Sequence, residues 1–236
     1  MPKFSGKFQA NMILSHLAHP IVGFMTHPGL INPGIFVYIN YQTQKTKLMK
    51  KLKLQVQISV DGFIAGPNGE MDWLTWNATE DFIDYVTELT DSCNTMLLGR
   101  KLADGFIPYW TDITTRPEDP QYSFARKMVD MPKVVFSNTL KKSNWDNTAI
   151  AENDLVTEIN NLKKQNGKDI VMYGGAEFVT SVIKAGLIDE YHLFVNPAAA
   201  GKGMSIFGGL EKPGQLKLVK ATPLTNGIVI LCYKPA

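Results

Sequence analysis

Gly99-Arg100-Lys101 follows the apolar run Met96-Leu97-Leu98, and Gly174-Gly175-Ala176 follows Ile170-Val171-Met172-Tyr173. Both read as the end of a buried strand turning into a helix. Glycine at such a corner lets the backbone come close to a ligand, and the helix start presents unpaired N–H groups with a partial positive charge. That pairing suits phosphate, and the Arg100 guanidinium would add charge-assisted bonds. Two such corners in one domain point to a nucleotide cofactor with more than one phosphate to hold. The bland alternative is that Gly99 and Gly175 merely allow a helix to pack closely on a strand.

Composition narrows the field. The chain has 236 residues and a formal charge of +2, so it lacks the basic footprint of a nucleic-acid binder. Cys93 and Cys232 sit far apart in apolar surroundings. They read as core thiols of a cytoplasmic protein, with no zinc spacing and no expected metal.

Residues 1–48 differ from the rest: four lysines, the histidines His16, His19 and His27, and no acid at all. Histidines, prolines and glycines interrupt the apolar stretch Ile13–Tyr38, short of the roughly 20 consecutive apolar residues a spanning helix needs. Neither a compact signal block nor an arginine-rich transit pattern is found. His16 and His19 have a spacing that could bind metal, but no acid or cysteine supports it. Residues 1–48 are expected to be a weakly ordered extension, with Met49 a candidate natural start, and 49–236 to form the functional domain.

Several elements position the two corners. Leu52, Leu54, Val56, Ile58 and Val60 alternate with Lys53, Gln55, Gln57 and Ser59, predicting a strand with one apolar and one polar face. It feeds a glycine-rich loop, Asp61 to Trp73, expected to be mobile, so that the polar face including Gln57 would form one wall of a pocket. Helices are expected at Thr79–Leu89, Arg100–Phe106, Ser123–Val129, Asp154–Gln165 and Glu177–Ala185, with loop from Pro108 to Pro120. Further strands are expected at Met96–Leu98, Lys133–Ser137, Asp169–Tyr173 and Glu190–Val195. Strands near Leu216–Ala221 and Ile228–Tyr233 flank the turn signal Thr225-Asn226-Gly227. Early alternation and late antiparallel pairing predict an α/β fold with a mixed sheet.

Five motifs in one order carry a resemblance: Ser59-Val60-Asp61-Gly62-Phe63-Ile64-Ala65, Leu97-Leu98-Gly99-Arg100-Lys101, Tyr173-Gly174-Gly175-Ala176, Gly186-Leu187-Ile188-Asp189-Glu190-Tyr191-His192-Leu193 and Gly201-Lys202-Gly203. From Met49 to Ala236 the chain resembles the dihydrofolate-reductase-like superfamily. Within it, the nearest likeness is to the C-terminal reductase domain of the bifunctional riboflavin-biosynthesis deaminase/reductase. The resemblance implies a three-layer αβα fold with a mixed, mostly parallel sheet and antiparallel C-terminal strands. It also implies NADPH, hydride transfer to a pteridine- or pyrimidine-like heterocycle, and a homodimer joined through the C-terminal strands. The zinc deaminase signature is absent, as is the G-x-G-x-x-G fingerprint of Rossmann domains.

By the same resemblance, Tyr173, Gly174, Gly175 and Ala176 would hold the pyrophosphate. Gly99, Arg100 and Lys101 would meet phosphate at the other corner. Ser137 and Asn138 would lie near the adenosine 2′-phosphate, while Ile64, Ala65 and the loop through Trp73 would close over the nicotinamide. Asp81 stands where dihydrofolate reductases place their ring-binding acid, and Asp61 at the strand end is the other candidate catalytic carboxylate. Their plain alternatives are a helix N-terminal charge and a turn-forming residue. Glu177 could meet substrate, although a carboxylate beside phosphates would oppose them. Trp73, Trp76 or Trp110 could stack on a flat ring. His192 reads as a satisfied core or interface histidine. A second functional class stays open, a nucleotide-binding homodimeric module without turnover.

Overall fold

A computed structural model describes residues 49–74 and 77–236. Trp76 and the histidines His16, His19 and His27 lie outside the described residues.

The described chain runs β1 (Leu52–Ser59), α1 (Glu80–Asp91), β2 (Cys93–Gly99), α2 (Arg100–Ile113), α3 (Tyr122–Asp130), β3 (Lys133–Phe136), β4 (Thr148–Ile150), α4 (Leu155–Lys163), β5 (Asp169–Tyr173), α5 (Ala176–Lys184), β6 (Glu190–Asn196), β7 (Leu216–Pro223) and β8 (Val229–Pro235). One sheet orders the strands β4-β3-β2-β5-β1-β6-β8-β7. From β4 to β6 neighbours are parallel; β8 pairs antiparallel with β6 and with β7. This is the mixed α/β sheet expected, with helices on both faces.

Each face has its own core. Leu52, Leu54, Val56 and Ile58 of β1 join Ile170 and Met172 of β5 beneath α4 and α5, which contribute Ile159, Leu162, Val179 and Val182. On the opposite face, Met96 and Leu98 of β2 pack with Ala103 and Ile107 of α2 and Met128 of α3. Beside them α1 lays Val86, Phe82 and Tyr85 against Phe194, Ile230 and Leu224. The polar face of β1 therefore does not look onto open water: Lys53 and Gln55 are each 9% exposed and Ser59 is fully buried. A central strand carries helices on both sides, so its polar residues must find partners inside the protein.

Local signals explain most boundaries. Asp154 caps α4 by accepting from the amides of Val156 and Thr157. At the end of α5, Gly186 adopts φ +65°, with Gly186 N–H bonded to Ile183 and Leu187 N–H to Val182. This is a Schellman ending that only a residue free of Cβ adopts cheaply.

Helices α2 and α4 end elsewhere than expected. Helix α2 continues through Pro108 to Ile113 instead of ending near Phe106. Proline costs a helix one hydrogen bond, yet Ala103, Ile107 and Ile113 form one buried stripe, and burial outweighs the loss. Helix α4 stops at Lys163, before the predicted Gln165. The short strand β4 carries little apolar pattern and has no counterpart in the sequence-based expectations.

Candidate active site

The two corners meet at adjacent strand ends. Strands β2 and β5 are neighbours, with Leu98 opposite Tyr173. Gly99 is the N-cap of α2 and Gly175 the N-cap of α5, and no side chain caps either helix. Because α2 and α5 cover opposite faces, their N-termini approach this edge from both sides. Two sets of first-turn amides and two positive dipole ends thus converge there.

The three glycines divide their work. A Cβ on Gly99 would lie 2.9 Å from Phe178 Cβ, and one on Gly174 would lie 2.8 Å from Val179 Cγ2. These two positions are small because α5 presses on the strand ends. Around Gly175 nothing stands within 4 Å of a Cβ. The close-packing explanation therefore holds for Gly99 and Gly174, while the space beside Gly175 that a side chain would take is open. A backbone cradle with an open front and uncapped amides fits a phosphate group.

Side chains around the corners are paired but exposed. Lys101 bonds Glu177 at 3.1 Å, joining the first turns of α2 and α5, with the two side chains 77% and 83% exposed. Arg100 pairs with Asp104 at 3.2 Å. Such surface pairs contribute little and exchange readily for a better anion. The Ser137 hydroxyl accepts from the amides of Thr139 and Leu140, closing the turn after β3, and Asn138 is exposed.

Hydrogen bonds tie the first part of the loop after β1, at Asp61, Ile64 and Ala65, to residues 200–204. The Ile64 amide bonds the Met204 carbonyl at 2.9 Å, and the Met204 amide bonds Ala65 at 2.8 Å. Gly203 has no room for a Cβ, which would overlap the Ala65 carbonyl oxygen. Asp61 takes the Ser59 hydroxyl at 2.6 Å and the amides of Ala200 and Gly201 at 3.0 and 2.7 Å. The Ser59 hydroxyl and these two amides hold the Asp61 carboxyl at about 2, so it is a fixed anion at neutral pH. Trp73 lies farther along the loop, half-buried, with a buried indole N–H that has no partner among the described residues. Trp110 packs edge-on against Phe106, Tyr109 and Phe124, so it belongs to an aromatic cluster of α2 and α3.

Asp81 is similarly occupied. Its carboxylate accepts from the Thr79 hydroxyl, from the Thr225 amide at 2.7 Å and hydroxyl at 3.0 Å, and from the Phe82 amide at 2.9 Å. The Thr79 hydroxyl, then the Thr225 amide, lowers its pKa. Every one of these bonds ties the start of α1 to itself or to the turn between β7 and β8.

On the α1 face, the polar row of β1 meets polar residues of its neighbours. The Tyr173 hydroxyl donates to Gln55 Oε1 at 2.7 Å. Asn196 Nδ2 donates to Gln57 Oε1 at 2.8 Å and to the Phe194 carbonyl at 3.1 Å. Since that Asn196 atom also serves a main-chain carbonyl, it must be the nitrogen, and Gln57 is turned with its oxygen toward it.

His192, read from the sequence as a satisfied core or interface histidine, is buried on β6. Its Nδ1 stands 2.8 Å from the Tyr85 hydroxyl. Its buried Nε2 faces Glu190 Oε2 at 3.7 Å. Glu190, His192, Phe194 and Asn196 alternate, and parallel pairing sets them beside Lys53, Gln55, Gln57 and Ser59.

Comparison with known proteins bears on family and fold. A model of the RibD C-terminal domain matches residues 50–230. The uncharacterized protein YyaP of Bacillus subtilis (strain 168) is 34% identical over 187 residues, covering 78% of this chain and 94% of that protein. The diaminohydroxyphosphoribosylaminopyrimidine deaminase/5-amino-6-(5-phosphoribosylamino)uracil reductase of Thermotoga maritima superposes with a TM-score of 0.58 at 18% identity, over 81% of this chain and 58% of that one. Dihydrofolate reductase from Enterococcus faecalis, solved with NADP(H), superposes with a TM-score of 0.53 at 17% identity, over 78% of this chain and 96% of that one. The two structural likenesses establish a shared fold. No helix among the described residues is long and apolar enough to cross a membrane.

Proposed function

This chain belongs to the RibD C-terminal domain family, and from that premise we propose that it is an NADPH-dependent reductase whose acceptor carries a pteridine- or pyrimidine-like ring. The observation that carries the reading is the pair of uncapped helix N-termini at the neighbouring ends of β2 and β5, with the open face of Gly175 between them.

Gly174, Gly175 and Ala176 would offer backbone N–H groups to the diphosphate. Lys101 would exchange Glu177 for a phosphate oxygen, and Gly99 and Arg100 would serve the second corner. Ser137 and Asn138 would border the adenosine end. Ile64 and Ala65, fastened to Met204, would form a wall against the nicotinamide that excludes water. When bound, NADPH supplies the hydride. Gln57 and Trp73 would border the acceptor, while Asp61 and Asp81 would act by holding loops, since both are fully engaged.

The functional unit is proposed to be residues 49–236, acting as a cytoplasmic homodimer. Two free buried cysteines support a reducing compartment. The edge strand β7, with Leu218 and Val219 about half exposed, supports pairing through the antiparallel end of the sheet. A second reading, cofactor binding without turnover, draws on the engagement of both candidate carboxylates.

Fluorescence titration with NADPH, followed by its oxidation against folate, pyrimidinone and flavin acceptors, separates these readings. Saturable binding with oxidation supports the reductase, binding without oxidation supports the module, and no binding at millimolar NADPH rules out both.

A further inference from the structure

Resting on the reductase reading above, we propose that Glu177 is the resident counter-anion of the dinucleotide site. It holds the Lys101 ammonium while the corners are empty and is displaced when a diphosphate enters. The contact is autoinhibitory: it sets a threshold that a dinucleotide held at both corners clears and a lone phosphate does not. Glu177 is then a specificity residue acting through charge, and not the substrate-binding group its place in the sequence suggests.

Charge placement motivates this assignment. The first turn of α2 carries two cations, Arg100 and Lys101, and no acid. Cations at a helix start oppose the positive end of its dipole. Helices α1, α4 and α5 follow the favourable rule, with Glu80 and Asp81, Glu158, and Glu177 in their first turns. Each cation of α2 has been given an acid. Arg100 pairs with Asp104 one turn along its own helix. Lys101 pairs with Glu177 of a different helix.

The second pair crosses between the two corners. Residues 101 and 177 are 76 positions apart, and both carboxylate oxygens of Glu177 accept from Lys101 Nζ, at 3.2 and 3.1 Å. The bridge joins the starts of α2 and α5, which follow the neighbouring strands β2 and β5. A carboxylate thus stands beside two sets of first-turn amides and on the very cation that an anionic ligand would use. Just before it in the chain, a Cβ on Gly175 would meet nothing within 4 Å, which leaves space for that ligand. Among the described residues no other side chain bonds either partner, and both are exposed. Such a pair is weak and opens readily.

Displacement adds the same cost for every anion. Lys101 must leave Glu177, and the freed carboxylate then faces a like charge. The cost weakens a dinucleotide and a single phosphate by one common factor. The dinucleotide keeps contacts at Gly174–Ala176 and at Gly99–Arg100 and stays bound. A single phosphate has one corner only, so the same factor keeps the site clear of it.

Calorimetric titration of the full chain with NADPH, and separately with inorganic pyrophosphate, tests this without turnover. Glu177→Gln keeps the size of the side chain and removes its charge. It is expected to bind both ligands about three- to tenfold more tightly than the wild type at low salt. The gain should fall below about twofold at roughly 0.5 M salt, because the pair is exposed to screening. In a Lys101→Gln background the same substitution should gain less, since no ammonium is left to release. Weaker NADPH binding by Glu177→Gln overturns the proposal and makes Glu177 a ligand contact. Unchanged affinity, or an equal gain with and without Lys101, overturns it too. In each of these cases the reductase reading stands. Failure of the wild type to bind NADPH at millimolar concentration removes that reading, and the counter-anion role with it.

Discussion

The carboxylate of Asp81 accepts the backbone N–H of Thr225 at 2.7 Å, joining residues 144 positions apart. Asp81 opens α1, and Thr225 sits in the turn between β7 and β8. Asp61 does the same for another pair of loops, accepting the amides of Ala200 and Gly201. The two acids best placed in sequence to meet a substrate ring are both engaged in bonds between loops.

An acid-stability prediction follows. Asp61 has a folded pKa of about 2 against an ordinary 3.8, and that of Asp81 is also lowered. A depressed carboxylate stabilises the fold above its unfolded pKa, and this is lost as pH falls through the folded value. Urea midpoints should drop between about pH 4 and pH 2, and less steeply in Asp61→Asn and Asp81→Asn. Both variants should start from a lower midpoint at pH 7 while binding NADPH as the wild type does. Loss of NADPH binding by Asp81→Asn, with the midpoint unchanged, would return this residue to the ligand site.

The glycine corner separates packing from binding. Gly174→Ala drives a methyl toward Val179 and Phe178 and should cost about 1–3 kcal/mol in urea unfolding. Gly175→Ala meets nothing within 4 Å and should cost no more than about 1 kcal/mol. It should nevertheless raise the NADPH Kd about tenfold or more by filling the cradle. Equal affinity for NADPH in Gly175→Ala and wild type would place the diphosphate elsewhere.

Alkaline conditions should stabilise the protein through Lys133. Its ammonium is buried, donating to the carbonyls of Val129 and Met131 at 2.8 and 2.7 Å, and burial lowers its pKa to about 8 from an ordinary 10.5. The unfolded chain holds this proton more tightly, so stability should rise between about pH 8 and pH 10.5. Lys133→Met should flatten that rise. An unchanged slope in the variant would assign the effect to another group.

Much of this arrangement is visible in the chain itself. The alternation of Leu52 through Ser59, the caps Asp154 and Gly186, and the turn before Gly227 are local signals, and local physics decided those elements. Two kinds of feature escaped. Pro108 argues for a helix end, but the buried stripe of Ala103, Ile107 and Ile113 carries α2 past it. The partners of Asp81, Asp61 and His192 are distant in sequence, and only the sheet order brings Thr225, Gly201 and Tyr85 beside them. Alternation marked the polar row of β1, yet nothing local showed that the polar residues of β6 would lie beside it.

Cofactor preference is expected to turn on Arg100. Its partner Asp104 is a half-exposed surface acid at 3.2 Å, which an adenosine 2′-phosphate would displace. Arg100→Ala should raise the NADPH Kd about tenfold, the loss of roughly one charge-assisted bond, and leave the NADH Kd within about twofold. Equal weakening of both nucleotides in a fluorescence titration would contradict this role.

The most direct test is a crystal structure after soaking with NADPH. The Gly174–Ala176 corner should hold the diphosphate and the Gly99–Arg100 corner the adenosine end, with phosphate oxygens about 2.7–3.2 Å from the amides of Gly175 and Ala176 and Lys101 turned from Glu177 toward them. Nucleotide bound away from both helix starts, with Lys101 still on Glu177, would contradict the account.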